Sequence, residues 1–255
     1  VWGSGAELAG GDDKLIHVRH PLRLDPEGLM IASILSKKAS IGSTHILLDF
    51  PVGKTAKIKS IKEAKRLRKK FIDLGKKLRM NIKGIITNGS EPIGNGLGPA
   101  LEARDVLYIL QRDKRAPKDL EKKAIYMANK IFKMTNTKKS AKEILDSGLA
   151  YKKMKEIIKA QKGKPSIQPE NIKLGKFTLD YKAPKSGKIK EIDNTKITKI
   201  ARMAGAPSNK EAGVYLYKHV KSKIKKGEKL FTIYSNSRDK LHSAKLISKQ
   251  AIKIK

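Results

Sequence analysis

Arg23-Leu24-Asp25-Pro26-Glu27-Gly28-Leu29-Met30-Ile31-Ala32-Ser33-Ile34-Leu35-Ser36-Lys37-Lys38 runs on, past a short turn, to Asp49-Phe50-Pro51-Val52-Gly53-Lys54-Thr55-Ala56-Lys57. Polar and ionisable residues stand here inside apolar sequence. Asp25 before Pro26 has the pattern of an N-cap followed by proline at the first helical position. The apolar run after it predicts a helix to about Lys38, and Ser33 and Lys37, four residues apart, share one face of it. Thr44 to Phe50 (THILLDF) reads as a buried parallel strand, with Pro51-Val52-Gly53 as the turn at its carboxyl end. In open α/β sheets ligands bind outside the carboxyl ends of the strands. The helix start and the loop carrying Lys57 are therefore expected to face one crevice.

Outward from this stretch the same rhythm continues. Residues 60–79 place Ile61, Ala64, Leu67, Phe71 and Leu74 at helical spacing, and Ser60 with Glu63 forms a capping-box pattern. Ile82 to Thr87 is a second apolar strand, followed by a glycine-rich turn over Asn88–Gly98 and a helix opened by Pro99 and running through Leu110. Strand, helix, strand, glycine loop and helix are the order of a doubly wound α/β domain. Two phosphate-loop patterns fail on inspection. Gly53-Lys54-Thr55 lacks the upstream glycine of a P-loop, whose place is taken by Leu48, and Gly94-Asn95-Gly96 is followed three residues later by Pro99 rather than glycine. Neither a dinucleotide nor a Walker-type site is expected.

Residues 117–134 and 140–162 read as amphipathic helices, the second capped by Ser140 with Glu143, and with Met127, Ile131, Met134, Met154, Ile157 and Ile158 as core stripes. Gly163 to Gly175, containing Pro165 and Pro169, is a linker-like change of composition. From about Phe177 short strands follow, and Ala183–Ile189 and Ile224–Ile233 resemble the barrel-sandwich pattern of lipoyl-like modules without their modified lysine. Leu241 to Ile254 reads as a helix and a strand. The expected organisation is a partial parallel-sheet α/β domain with following helices over 1–163, a linker over 164–176, and a smaller α+β domain over 177–255.

The chain has 255 residues, enough for one large or two small domains. It has no run of apolar residues long enough to span a bilayer and no cysteine, so neither disulfides nor cysteine-ligated metal enter. No N-terminal signal pattern is visible and a cytoplasmic location is expected. The formal net charge of +34 attracts anions non-specifically. Lysine outnumbers arginine by 48 to 10 and aromatics are only 5%, whereas base reading leans on Arg, Asn and Gln, and single-strand platforms on aromatics. Solvated lysine faces are preferred over a dedicated RNA-binding surface, which stays as the reading from another class. Residues 1–13 are read as a glycine-rich loop, and Asp12, Asp13 and His17 as surface residues without metal-ligand spacing.

Several motifs carry a family resemblance: Leu24-Asp25-Pro26, Ala32-Ser33-Ile34-Leu35-Ser36-Lys37-Lys38, Gly42-Ser43-Thr44-His45, Pro51-Val52-Gly53 with Ala56-Lys57, and Asn88-Gly89-Ser90-Glu91-Pro92-Ile93-Gly94 with Gly98-Pro99-Ala100-Leu101-Glu102-Ala103-Arg104-Asp105. Together they resemble the thymidine phosphorylase family, in particular the archaeal AMP phosphorylases and the type-2 thymidine phosphorylases. The resemblance covers nearly the whole chain and does not separate the two subfamilies.

The resemblance implies a phosphorylase, in which phosphate attacks the anomeric carbon while the base leaves. Asp25 resembles the acid that protonates the departing base. To do so near neutral pH it needs a pKa raised by desolvation or by a neighbouring anion. Its plain alternative is an ordinary N-cap. Ser33 matches a nucleotide-binding serine, and otherwise is a small helix residue with its hydrogen bonds satisfied. Lys57 matches a lysine that binds the nucleotide electrostatically, and otherwise is one solvated lysine of many. Lys37 matches the lysine that contacts the base carbonyl in thymidine phosphorylases. The arginine those enzymes use upstream has its closest candidate in Arg19, one residue out of place. His45 is read as structural.

The implied reaction is phosphorolysis of AMP to adenine and ribose 1,5-bisphosphate, with thymidine phosphorolysis as the alternative. The ligands are AMP or a nucleoside and phosphate as co-substrate, with no cofactor and no metal. The family's N-terminal helical domain and its phosphate cradle have no counterpart in these residues. The chain is expected to be a C-terminal portion, either truncated or from a split protein whose N-terminal half is a separate chain, inactive alone and homo-oligomeric when complete.

Overall fold

The apolar run expected as a strand over Thr44–Phe50 forms one over His45–Val52, which carries on through the Pro51-Val52 expected as a turn, and a second strand lies beside it. The computed structural model describes Gly10, Gly11, Lys14 and residues 26–255. Asp12, Asp13, His17, Arg19 and Asp25 lie outside these. Gly10 and Gly11 are helical, where composition predicts a loop over 1–13. The chain divides into two compact units, one formed by Val1–Phe50, Ile61–Ile86 and Lys130–Thr137, the other by Pro51–Ser60, Thr87–Asn129 and Lys138–Lys255.

The first unit is built on helix α1 (Glu27–Ser40), strand β1 (His45–Val52), helix α2 (Ile61–Lys77) and strand β2 (Asn81–Asn88), the two strands continuing into the second unit. Pro26 occupies the N-cap of α1, because its ψ of 136° is extended, and its carbonyl accepts the Met30 N–H at 3.1 Å. The helix thus starts one residue later than the Asp-Pro pattern predicts. It ends in a Schellman motif: Gly42, with φ of +66°, donates to Ala39 O, and Ser43 to Lys38 O. The apolar stripe of α2 buries Ala64, Leu67 and Phe71, while Ile61 and Leu74 at its margins stay exposed. Phe71 meets Phe50 of β1 edge to face at 5.7 Å between ring centres. β1 and β2 pair, with Asn81 N–H on Thr44 O and Gly89 N–H on Val52 O. Both partners advance along the chain together, so the pair is parallel.

The second unit contains a short strand β3 (Gly96–Leu97), helices α3 (Pro99–Leu110), most of α4 (Lys118–Met134), α5 (Ala141–Asp146) and α6 (Leu149–Ala160), and everything beyond. The single helix expected over 140–162 is two. Gly148 takes a left-handed φ of 76° between them, and Ser140 caps the first by accepting the Glu143 N–H. Beyond a single 3-10 turn at Pro169–Asn171 come β4 (Phe177–Lys182), β5 (Gly187–Ile192), α7 (Asn194–Ala204), β6 (Gly213–Leu216), β7 (Lys223–Ile224), β8 (Lys229–Ser235), α8 (Arg238–Leu246) and β9 (Ile252–Ile254). They form two antiparallel sheets, ordered β3-β6-β8-β4 and β7-β5-β9. Ile192, Ile197, Ile200, Val214, Leu216, Phe231 and Ile233 are fully buried in one apolar cluster between sheets and helices. The chain is thus α/β, with a parallel strand pair followed by a smaller antiparallel α+β portion. Among the described residues no helix is long and apolar enough to cross a membrane.

Candidate functional site

In the first unit α1 brings two of the expected residues together. Ile31 and Leu35, one turn apart, are buried and fix the helix's rotation, and Ser33 between them is buried too. Lys37, four residues on, donates from Nζ to Ser33 Oγ at 3.4 Å. The Ser36 hydroxyl donates to Ser33 O at 3.3 Å. A hydroxyl and an ammonium at this spacing offer a neutral donor-acceptor and a fixed positive charge to the same ligand group. Asp25 lies outside the described residues.

Two residues beyond it, Glu27 does work that the sequence does not announce. Its carboxylate accepts Arg66 Nη1 at 2.8 Å, pairs also with Arg66 Nη2, and takes Lys70 Nζ. The guanidinium and ammonium hold its pKa down at about 2. The first turn of α1 is thereby tied to α2 by a bidentate pair. The groove beside this contact, about 490 Å³, is lined by Glu27, Ile31, Lys70, Asp73 and Leu74 among others, and neither Ser33 nor Lys37 lines it.

Lys57 belongs to the second unit. After β1, Val52 and Ile58 form a parallel bridge, and Gly53 N–H donates to Ile58 O at 3.1 Å. Within that closed loop Ala56 N–H donates to Gly53 O at 3.0 Å, a tight turn. Lys57 is exposed next to Ile58, which is buried and anchors the loop. Gly53 is required by packing: a Cβ there would stand 2.3 Å from Gly89 O, a backbone atom that cannot swing aside.

The glycine turn after β2 resembles an anion-binding nest in sequence, and its amides are already engaged. Gly94 N–H donates to Asp119 Oδ2 at 3.0 Å, Asn95 and Gly96 N–H both donate to Asp105 Oδ2 at 2.7 Å, and Gly98 N–H donates to Glu102 Oε1 at 2.9 Å. Internal carboxylates occupy the donors that a dinucleotide's pyrophosphate would need. This is the physical reason the Gly94–Gly98 pattern is not a cofactor site. Asp105 is 1% exposed, and its Oδ1 has no hydrogen-bond partner among the described residues. Burial pushes its carboxyl pKa up, against the two amides that pull it down. His219 closes the far side of the turn, with Nε2 2.9 Å from Asn95 Oδ1 and Nδ1 3.3 Å from Glu91 Oε2, an ion-pair distance without hydrogen-bond geometry. Glu91 also accepts the Val220 N–H at 2.8 Å. Among the described residues no cluster of three or more His, Cys, Asp or Glu could hold a metal ion.

The buried anchors of this turn make it a structural element, and relatives show which fold it serves. Residues 188–255 match the pyrimidine nucleoside phosphorylase C-terminal domain. The AMP phosphorylase of Pyrococcus abyssi is 47% identical over 261 residues, covering all of this chain and 52% of that protein. The AMP phosphorylase of Methanocaldococcus jannaschii is 43% identical over 250 residues, 96% of this chain and 50% of that protein.

Along its whole length the chain is similar to about half the length of these AMP phosphorylases.

A putative thymidine phosphorylase of Legionella pneumophila is 42% identical over 250 residues, 96% of this chain and 47% of that protein. The chain spans about half the length of the curated relatives it matches. The matched C-terminal domain begins inside β5 and takes in α7, β6, β7, β8, α8 and β9.

Sequence reasoning did not single out Glu27, Asp105 or His219. Glu27 acts through Arg66 and His219 through Glu91, partners distant in sequence. Asp105 had one local signal: a carboxylate on an apolar helix face, nine residues after a glycine whose amide it accepts.

Proposed function

We propose that this chain carries the base-side part of a phosphorylase that cleaves the N-glycosidic bond of AMP with phosphate, giving adenine and ribose 1,5-bisphosphate. The observation that carries the reading is 47% identity across the entire chain to an AMP phosphorylase. A phosphate oxygen bonds to C1′ as the C1′–N bond breaks, and its electron pair goes to the base. The Asp25 carboxyl gives its proton to the departing base nitrogen, so that a neutral base leaves. Ser33 and Lys37, 3.4 Å apart on α1, hydrogen-bond the nucleotide, and Lys57 supplies positive charge to its phosphate. Phosphate is co-substrate, and neither cofactor nor metal takes part in this scheme.

The proposal includes the remainder of the relatives' length as a requirement for turnover, with homo-oligomer formation in the complete enzyme. A cytoplasmic setting goes with a nucleotide substrate. Thymidine phosphorolysis is the second reading, supported by the Legionella relative and by the pyrimidine-type C-terminal domain.

Parallel assays with AMP and with thymidine, each with phosphate and the N-terminal half of a close relative supplied, test the choice. Adenine release with inert thymidine supports the proposal. Thymine release with inert AMP overturns it in favour of the second reading.

A further inference from the structure

Asn194 stands at the first position of α7, in the C-terminal portion, yet its hydrogen bonds go to the two loops that leave the parallel strands. Its backbone N–H, one of the helix's uncommitted first-turn donors, points at Thr55 Oγ1 at 3.1 Å. Its side-chain Nδ2 donates to the same Thr55 oxygen at 3.1 Å and to Gly89 O at 3.0 Å. Thr195 Oγ1 reaches Thr55 O at 3.5 Å. All of these residues lie in the second compact unit.

The geometry leaves little freedom. Thr55 is the apex of the loop closed by Gly53 and Ile58, and Gly89 O is the atom against which Gly53 packs without room for a Cβ. One amide therefore fixes the apex of the first loop and a backbone atom of the second. α7 itself is secured at the same end, where Asp193 accepts the Lys196 N–H at 3.1 Å as N-cap, and further along by the buried Ile197 and Ile200. The clamp is rigid on the side that holds, and the clamped loop carries Lys57 two residues from its apex.

We infer that Asn194 is a positioning residue for Lys57. It holds the Thr55 apex and the Gly89 carbonyl so that the Lys57 ammonium is presented to a nucleotide's phosphate in one orientation. The inference rests on the proposed nucleotide-binding role of Lys57, and it extends that role to a side chain in the C-terminal domain more than a hundred residues away.

The test is a double-mutant cycle on the full chain, with AMP affinity measured by calorimetry and amide hydrogen exchange followed over Lys54–Ile58. Asn194→Ala removes two side-chain hydrogen bonds and is expected to weaken AMP binding about three- to tenfold and to speed exchange in the loop. In a Lys57→Ala background the same substitution is expected to change affinity less than about twofold, since nothing remains to position. Thr55→Ser keeps the acceptor oxygen and is expected to behave as wild type, whereas Thr55→Val is expected to reproduce Asn194→Ala. If Lys57→Ala loses affinity and Asn194→Ala does not, the positioning role is overturned while the nucleotide reading stands. An equal loss from Asn194→Ala in both backgrounds overturns it too, because that is general structural damage. If wild type and Lys57→Ala bind AMP alike, or neither binds, the nucleotide reading has failed and the inference with it.

Discussion

Lys37 Nζ donates to Ser33 Oγ across one turn of α1, at 3.4 Å, with Ser33 buried and Lys37 half-buried. The pair is local, so its strength is modest, and its value lies in orientation: the ammonium fixes where the serine oxygen's lone pair points. Ser33→Ala is expected to leave the fold intact, because alanine fits the same helix position. It is expected to weaken AMP binding by about three- to tenfold, the worth of one hydrogen bond to a ligand. Calorimetric titration of AMP into Ser33→Ala, Lys37→Ala and the double variant checks this, with the double expected to lose less than the sum. Unchanged affinity in all three would remove α1 from the binding site.

Gly53 and Gly89 meet backbone to backbone, and a Cβ on Gly53 has 2.3 Å to Gly89 O. Gly53→Ala forces the loop carrying Lys57 away from the turn after β2, at a cost of about 1–3 kcal/mol. A lowered urea midpoint with unchanged slope is the expected result. A Gly28→Ala control, where a Cβ meets nothing within 4 Å, is expected to be neutral or slightly stabilising. Equal midpoints for Gly53→Ala and wild type would show that the two loops are not pressed together.

His219 gives the turn after β2 a pH dependence. The Glu91 carboxylate beside it raises its pKa above the ordinary histidine value, with Asp119 and Asp105 adding to the effect and burial opposing it. Glu91 is itself held below its ordinary value, against burial, by His219, the Val220 amide and Lys221, so it stays ionised through this range. A raised histidine pKa contributes stability that is fully present below the unfolded value, near 6.5, and is lost as pH rises through the higher folded value. Wild type is therefore expected to lose stability as pH rises above about 6.5 relative to Glu91→Gln, whose curve is flatter there. Urea melts of both proteins across that range give the measurement. Parallel curves would mean that the pair does not exchange a proton on folding.

Much of this architecture was readable in the chain because its causes are local. Pro99 opening α3 gives the helix Pro99–Leu110 with the expected bounds, and the apolar run at Thr44–Phe50 gives β1. The break at Gly148 was locally signalled by Ser147-Gly148 and outweighed by the helical period on either side; the left-handed φ of 76° is what ends the first helix. The exposed Ile61 and Leu74 show that period locates a face but not its edges. The contacts that shape the candidate site were not readable, because they join distant residues: Glu27 with Arg66, Glu91 with His219, Asn194 with Thr55. No periodicity encodes a pairing between separate elements, and a polar side chain that satisfies a backbone group looks in sequence like any surface asparagine or glutamate.

The central claim is that this chain bears the base-side machinery of AMP phosphorolysis. Its most direct test is phosphate-dependent adenine release from AMP, measured with the chain alone, with the N-terminal half of a close relative added, and with that half plus the Asp25→Asn variant of this chain. The account predicts adenine only when phosphate, the N-terminal half and Asp25 are all present, with the rate in Asp25→Asn lowered by at least about a hundredfold, as for loss of a general acid. Adenine release that is indifferent to phosphate, or an Asp25→Asn chain as active as wild type, would contradict it.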